Sequence, residues 1–315
     1  MKYIALLLFL YFVSNTALNK TDLLRVNPVT TDLYANSMDK VLPLQWYEGK
    51  AEVSTFDLKQ NRYNNLHDGE IVMIFVTEDF LTDKQVKNDN YTSNKSTPIL
   101  KHNQVRKFTT GVYDYSIYSS TFTKVKNSEH VETLKVTMSS QDWCGQSYSQ
   151  INKTSNQYKI NSFSYFENEG DKSYKIENSL LLDEVFNLIR IGDKYLPVGQ
   201  IEVTPSLIFS RLKHKPCKSY KGKATLEDYK DNLIDEGPLS NYTIVIPEFD
   251  FTFQVVFVNK GNREIIAFKE AYPSAFDGVI RETVATRKSI QWLDYWTKNN
   301  KEDYSLRSEL QIDYQ

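Results

Sequence analysis

Apolar residues recur at every second position in many segments of this chain, and this alternation constrains the fold more than any other feature. In residues 249–258 every second residue is phenylalanine or valine, from Phe249 to Phe257. A period of two is typical of a β-strand with one buried face. About ten such segments follow one another with short polar turns such as 259–262, which predicts a mostly antiparallel sheet.

Two departures from the alternation add detail to this prediction. The apolar phase changes at Phe56 within residues 51–58, which indicates a β-bulge. Residues 179–192 have helical spacing instead, with Ser179 to cap the start and Gly192 to end the helix. The sequence therefore predicts a mainly β protein. We expect a large curved antiparallel sheet or partly open β-barrel with one amphipathic helix over one side.

The ends of the chain differ in composition from its middle. A positive residue, an apolar run too short to cross a bilayer, and small residues up to Ala17 predict a signal peptide over residues 1–17. Residues 18–45 are predicted to form an N-terminal arm. Residues 46–297 are predicted to form a single β-rich domain, and residues 298–315 a polar C-terminal tail. No later stretch reaches the roughly 18 apolar residues of a membrane helix.

The single predicted domain has one alternative, a division near residue 197 into two β domains. No linker-like composition marks that point, and we find no internal repeat. Just beyond it, residues 200–212 are predicted to form a strand that Pro205 interrupts.

Charge and motif content argue against several common functions. The formal net charge is −2, whereas nucleic-acid binders carry a basic footprint. The chain lacks zinc-type His/Cys spacing, a glycine-rich phosphate loop and a Gly-x-Ser-x-Gly elbow. Glu167, Glu169 and Asp171 do not have the spacing of a calcium loop. We therefore expect no metal and no cofactor, and we favour binding over catalysis.

Cys144 lies in a segment, residues 139–150, that follows a clear strand and has unusual chemistry. Its Trp-Cys-Gly run lacks the second cysteine of a redox motif, since Ser147 stands at that position. Three roles remain open for the thiol. It is a nucleophile activated by a distant base, one half of a disulfide with Cys217, or a small buried side chain.

The same segment supplies the predicted ligand-binding residues. Gln141, Asp142, Trp143 and Tyr148 combine aromatic surface with hydrogen-bonding groups, which suits carbohydrate or other small polar ligands. The alternative is a wide turn whose polar side chains satisfy their own backbone.

A basic stretch is the third candidate feature. Residues 211–223 contain six Lys or Arg residues together with His214. Such a stretch suits an anionic ligand or a membrane surface, and the alternative is a lysine-protected strand edge.

Five further runs of the sequence are notable: residues 46–52, 70–80, 139–145, 211–214 and 295–298. Together they resemble an uncharacterised family of exported proteins from Bacteroidetes. Some members are labelled septum-formation inhibitor Maf, a name that denotes a cytoplasmic α/β nucleotide pyrophosphatase and does not match an export signal and β patterning. The resemblance implies a bacterial protein of the periplasm or cell surface. It assigns no catalytic or binding residue.

The function predicted from these features is binding in the cell envelope. With 21 Tyr and 17 Phe residues, the chain has the aromatic surface to hold an apolar or amphipathic ligand, such as a lipid, or an envelope protein. We expect that ligand on the concave face of the sheet. The alternative is a hydrolase or transferase that uses Cys144 as its nucleophile.

Overall fold

The strands follow one another around one sheet almost in chain order. In the computed structural model, which describes residues 41–125, 131–231 and 236–314, the sheet has 16 strands. Their bounds are β1 Ala51–Arg62, β2 Asn65–Leu81, β3 Val86–Lys87, β4 Ser96–Thr110, β5 Tyr113–Lys124, β6 Thr133–Asp142, β7 Gly145–Lys153, β8 Gln157–Ser164, β9 Lys172–Glu177, β10 Leu180–Leu181, β11 Gly199–Thr204, β12 Tyr220–Tyr229, β13 Leu239–Ile246, β14 Phe251–Val258, β15 Ile265–Pro273 and β16 Ile280–Leu293.

The sheet runs from β10 at one edge to β9 at the other. Strands β10 to β16 follow in order, β16 pairs with β1, and the order continues through β2, β4 and β5 to β9. The pair β10–β11 is parallel and the others are antiparallel. Only Asn178 and Ser179 separate the two edge strands along the chain, yet those strands do not pair. The predicted fold class, a large curved sheet that remains open, is confirmed.

The helices among the described residues are short. The α-helices are α1 Val185–Ile191, α2 Leu207–Lys213 and α3 Leu306–Glu309. The 3₁₀ turns are Leu44–Tyr47, Leu182–Glu184, Asp193–Tyr195, Pro247–Phe249, Tyr295–Thr297 and Lys301–Ser305.

Helix α1 lies on the concave face of the sheet. All seven of its residues are buried. The side chain of Asn187 donates to the carbonyl of Leu100 in β4 and to the hydroxyl of Thr123 in β5. On the other side of the helix, Phe186 packs against Phe253 of β14. A helix that contacts both halves of one sheet must lie inside its curve.

Helix α2 lies in the same interior, nearer the hairpin that joins β6 and β7. Phe209 packs edge-on against Phe251 of β14, with ring centroids 4.5 Å apart. Arg62 of β1 donates to the carbonyl of Leu212. A cavity of about 20 Å³ remains beside the two helices, room for little more than one water molecule. The two helices therefore fill part of the concave face, and ligand binding on that face stays a prediction.

Periodicity predicted the local details of several strands correctly. In β14 the side chains of Phe251, Phe253, Val255 and Phe257 are all buried. The pairing of β1 with β16 shifts register between Thr55 and Phe56, where the sequence predicts a bulge. The predicted inward face is thus the one that packs against the two interior helices.

The predicted strand over residues 200–212 is wrong in its second half. Strand β11 ends at Thr204, and α2 begins at Leu207. The hydroxyl of Ser206 accepts a hydrogen bond from the amide of Phe209 and so caps the helix. Such a short apolar run fits either a strand or a buried helix, and burial on several sides favours the helix here.

The C-terminal residues pack back onto the sheet. Leu310 is buried, and the amide of Asp313 donates to the carboxylate of Glu70 in β2. Lys288 of β16 forms ion pairs with the carboxylates of both Glu70 and Asp313. At the other end of the chain, the predicted signal peptide and most of the predicted arm lie outside the described residues. Within the described ranges, no helix has the length and apolarity to cross a membrane.

Candidate functional site

The β6–β7 hairpin places the residues singled out in the sequence at one rim of the sheet. Its loop is the pair Trp143–Cys144. The Oδ1 atom of Asp142 accepts the amides of Cys144 at 2.7 Å and Gly145 at 3.2 Å. The ring of Tyr165 lies over Gly145 so closely that a Cβ there would come within 2.6 Å of it. Asp142 therefore satisfies its own turn, and a side chain at position 145 would displace the ring of Tyr165.

The outer face of the sheet carries a row of rings beside this hairpin. Tyr118, Ser139, Tyr148 and Phe163 are consecutive partners across β5, β6, β7 and β8, so they point to the same side. The rings of Tyr118, Tyr148 and Phe163 are 46%, 38% and 52% exposed. Neighbouring strands are about 4.8 Å apart, so the row extends over roughly 14 Å.

A second, more polar row lies beside it, toward the rim. Ser116, Gln141 and Gln146 are consecutive partners on β5, β6 and β7, and Tyr165 continues the row past the end of β8. The two rows line a groove of about 420 Å³, which we call the outer groove. Two of the predicted ligand-binding residues, Gln141 and Tyr148, therefore lie together in one groove.

The other two predicted residues lie elsewhere. Trp143 projects from the loop with 70% of its surface exposed, and its ring centroid is 6.4 Å from that of Tyr113. Asp142 points inward, where its Oδ2 atom lies 3.6 Å from the Nη2 atom of Arg211 in α2. Its carboxylate is almost completely covered, so it faces the interior rather than the groove.

The inner face of the same strands is lined with serine. Ser140, Ser147 and Ser164 are consecutive partners on β6, β7 and β8, and Ser149 pairs with Ser162 one row further in. Three of these serines, Ser147, Ser149 and Ser162, line a second space of about 190 Å³ together with residues of α2, and we call this space the inner pocket. Positions that face inward in a curved sheet are usually apolar, so this wall differs from the rest of the interior.

Helix α2 and the chain just after it supply the charges of the inner pocket. Arg211 is buried, and its Nη1 atom lies 3.4 Å from the Oε1 atom of Glu169 and 3.5 Å from Nδ1 of His214. Its guanidinium lies over the ring of Phe166, 4.3 Å from the centroid. Lys172 and Lys215 add positive charge at the pocket wall.

The carboxylate of Glu169 stays ionised in this setting. Burial alone raises the pKa of Glu169, but hydrogen bonds from Ser164 and His214 and the charge of Arg211 outweigh that effect and lower it. The His214 contact, from Nδ1 to Oε1, is 2.6 Å long. The negative charge of Glu169 therefore neutralises part of the positive charge of the pocket.

The two cysteines are not joined to each other. Cys144 is exposed in the hairpin loop, and Cys217 is buried at the inner pocket. Burial raises the pKa of the Cys217 thiol strongly, and the charge of Asp183 adds to this, so the thiol stays protonated. Of the three roles left open for Cys144, the structure therefore does not show the disulfide with Cys217.

The described histidines have partners other than Cys144. The ring of His67 contacts the carbonyl of Arg62, His102 stacks on Phe75, and His214 bonds Glu169. His130 lies outside the described residues. Among the residues with described positions, no three His, Cys, Asp or Glu side chains come together as a metal site.

The basic stretch, residues 211–223, is divided between interior and surface. Arg211 faces the inner pocket, and Lys213 donates to the carbonyl of Pro273. The later lysines lie on or near β12, which has a partner strand on both sides and is not an edge. Lysine protection of a strand edge therefore does not explain this stretch.

Sequence reasoning missed the partners of the hairpin rather than the hairpin itself. Tyr118, Phe163 and Tyr165 lie on strands or turns whose neighbours depend on long-range pairing. One signal for the inner pocket was present: serine occurs at alternate positions in β7 and β8, at 147 and 149 and at 162 and 164. A period-2 hydroxyl pattern at inward positions indicates a polar interior wall.

Comparison with known proteins gives one distant similarity in fold. No family model matches the chain, and no curated protein matches it. A solved structure described as a beta-barrel-like protein of domain of unknown function DUF1849, from Brucella abortus, superposes with a TM-score of 0.46 at 8% sequence identity. The match covers 78% of this chain and 98% of that one.

Proposed function

We propose that this protein is an exported binding protein that holds a saccharide of the bacterial cell envelope in the outer groove. The observation that carries the proposal is the row of rings formed by Tyr118, Tyr148 and Phe163 across β5, β7 and β8. Clustered aromatic rings left half exposed on a protein surface mark interaction sites more often than isolated ones do.

The chemistry of the groove favours a saccharide among amphipathic ligands. A sugar ring has an apolar C–H face, which stacks on an aromatic ring, and hydroxyls at its edge, which need hydrogen-bond partners. The rings alternate here with Ser139, Gln141 and Gln146, whose hydroxyl and amide groups both donate and accept. The groove is open to solvent, and an acyl chain gains less there than in an enclosed apolar cavity.

The length of the groove also fits an extended ligand. The ring row spans three strand spacings, roughly 14 Å, which is more than one sugar unit requires. Export is supported by the sequence pattern of residues 1–17 and places the protein where envelope saccharides occur.

The test is a titration of the purified mature protein with a panel of defined oligosaccharides, monitored by isothermal titration calorimetry. Phe163→Ala and Tyr148→Ala each remove one stacking surface, so we expect each to weaken binding about three- to tenfold. The control is Tyr304→Ala, which removes a more exposed ring from the C-terminal segment and should leave binding unchanged.

Two outcomes would contradict the proposal. One is that no saccharide binds while vesicles of envelope lipid do. The other is that a saccharide binds equally well to the wild type, Phe163→Ala and Tyr148→Ala. No geometric observation favours the alternative of a Cys144-dependent enzyme, because none of the described histidines is hydrogen-bonded to that thiol.

A further inference from the structure

We infer that the inner pocket is a second binding site, specific for a tetrahedral oxyanion: inorganic phosphate or the phosphate group of a small monoester. It lies on the opposite face of β6–β8 from the outer groove and does not depend on the saccharide proposal. Three observations carry the inference: a surplus of cationic side chains, buried hydroxyls without partners, and a space of suitable size.

Cationic side chains outnumber carboxylates among the residues that line the pocket. Arg211, Lys172, Lys215 and His214 supply positive or donating groups, whereas Glu169 is the one carboxylate among the lining residues. The nearest partners of the Arg211 guanidinium lie 3.4 to 3.6 Å away, longer than a good charge-assisted hydrogen bond. Arg211 thus has donors that its own neighbours do not satisfy.

The hydroxyls that line the pocket include two buried oxygens with no hydrogen-bond partner. These are the Oγ atoms of Ser147 on β7 and Ser210 on α2. The Nε atom of Arg211 is likewise buried and unpartnered. A buried hydroxyl without a partner destabilises the protein, so a ligand that accepts hydrogen bonds from both walls removes that cost when it binds. Ser149 and Ser162 bond each other at 3.0 Å and form the remaining wall.

The volume limits the ligand to a small one. The space measures about 190 Å³. A cavity of roughly 150 Å³ accommodates a benzene ring, so a phosphate or a short phosphate monoester fits and a polymer does not. A tetrahedral anion directs acceptor oxygens to several sides at once. Donors on two facing walls match that geometry better than they match a planar carboxylate.

Glu169 acts as an internal competitor for this anion. Its carboxylate already contacts His214 at 2.6 Å and Arg211 at 3.4 Å, which are two of the groups that an oxyanion would use. It lies in the turn between β8 and β9 and is held there partly by Ser164, whose hydroxyl donates to Oε2 at 2.6 Å. Removing its charge should therefore strengthen anion binding.

The experiment is calorimetric titration of the full chain at low ionic strength with sodium phosphate, with glycerol 3-phosphate and with acetate. We expect saturable binding of one phosphate per chain with a Kd at or below about 1 mM. The double variant Ser147→Ala/Ser210→Ala should weaken phosphate binding at least about tenfold without loss of thermal stability, because the removed hydroxyls are unsatisfied. Comparison of phosphate with glycerol 3-phosphate distinguishes the free anion from the monoester.

Two further variants make the result decisive. Ser139→Ala alters the outer face of β6, the strand next to the one that carries Ser147, and should leave the phosphate affinity unchanged. Glu169→Gln should raise that affinity several-fold, and this variant decides the matter if the double variant does not fold. The inference is overturned by absence of saturable phosphate binding, by acetate binding as tightly as phosphate, or by a folded double variant that binds phosphate like the wild type.

Discussion

Two buried arginines, one on each interior helix, have opposite surroundings. Arg190 of α1 is fully buried, with one terminal nitrogen bonded to Glu52 and the other 2.9 Å from the carbonyl of Asn262. Arg211 of α2 is nearly as buried, but none of its polar contacts is shorter than 3.4 Å. Both guanidiniums also lie over a phenylalanine ring, Phe75 for Arg190.

The difference indicates which part of the interior is structural and which is open to a ligand. Both terminal nitrogens of Arg190 have an acceptor, although its Nε atom, like that of Arg211, is buried without a hydrogen-bond partner. Around Arg211, serine replaces apolar side chains and a space of about 190 Å³ adjoins the guanidinium. Burial alone therefore does not distinguish an arginine that stabilises the fold from one that is free to bind a ligand. The lengths of the hydrogen bonds that the arginine already makes do distinguish them.

Removal of Arg190 should give the largest loss of stability. Arg190→Met leaves Glu52 with no opposite charge in a site that is 0% exposed. Because an uncompensated buried charge is costly, we expect the free energy of unfolding to fall by about 3–5 kcal/mol, measured by denaturant titration. The double variant Glu52→Gln/Arg190→Met should recover a large part of the loss.

The matched substitution at the other arginine sharpens the comparison. Arg211→Met should cost only about 1–2 kcal/mol, because Glu169 remains partly solvated and Asp142 keeps its two backbone amides. Equal losses for Arg190→Met and Arg211→Met would show that the two sites do not differ in the way we describe.

Local periodicity predicted more of the fold than of the site. The inward positions of β14 and the bulge at Phe56 follow from a period of two, which burial of one face enforces. The pairing of β1 with β16 joins residues more than 200 positions apart, for example Ala51 with Leu293, and no local pattern encodes it. Helix α2 was missed because its seven residues are too few to show a helical period.

The site divides in the same way. Gln141 and Tyr148 were predicted because they lie in one polar, aromatic segment. Tyr118 and Phe163 were not, since they join that segment only through strand register. Asp142 was predicted to bind a ligand. In the structure its Oδ1 atom instead accepts two amides of its own turn, those of Cys144 and Gly145. A residue type indicates what a side chain is able to bind, but the fold decides which partner it meets.

Asp183 lies between the two arginine regions and should give stability a pH dependence. Its Oδ2 atom accepts the amide of Leu207 at 3.1 Å in the cavity that also holds His102 and Glu270. Burial raises the pKa of Asp183 to about 7, with Glu184 and Glu270 adding to the effect against the Leu207 hydrogen bond. The folded state therefore holds a proton that the unfolded state releases near pH 4.

The sign follows from this difference in bound protons. As pH rises from about 4 to 7, the unfolded state loses the Asp183 proton first, so folding loses stability. Asp183→Asn keeps the hydrogen-bond acceptor and removes the titration, so its stability relative to the wild type should rise on the order of 3 kcal/mol over that range. Burial lowers the pKa of His102 to about 3, an opposite effect that both proteins share.

Denaturant unfolding of both proteins across this pH range measures the difference. Asp250→Asn, at an exposed carboxylate in a left-handed turn that asparagine tolerates, is the control and should show no such trend. A pH-independent difference between wild type and Asp183→Asn would mean that this carboxyl is ionised in the folded protein throughout.

The smallest effect on stability is expected at Cys144. The two cysteines differ in accessibility, since one is exposed and the other is buried. Cys144 lies in the exposed loop and Cys217 at the buried end of the inner pocket. Iodoacetamide should therefore modify Cys144 alone in the native protein and both thiols after denaturation, as read by intact-mass spectrometry. Cys144→Ser should change the free energy of unfolding by less than about 0.5 kcal/mol, because the side chain is solvated.

A native protein with no reactive thiol would instead indicate a Cys144–Cys217 bond. In that case the rim of the inner pocket would have to rearrange, since Cys217 is buried at the pocket and Cys144 is exposed in the loop.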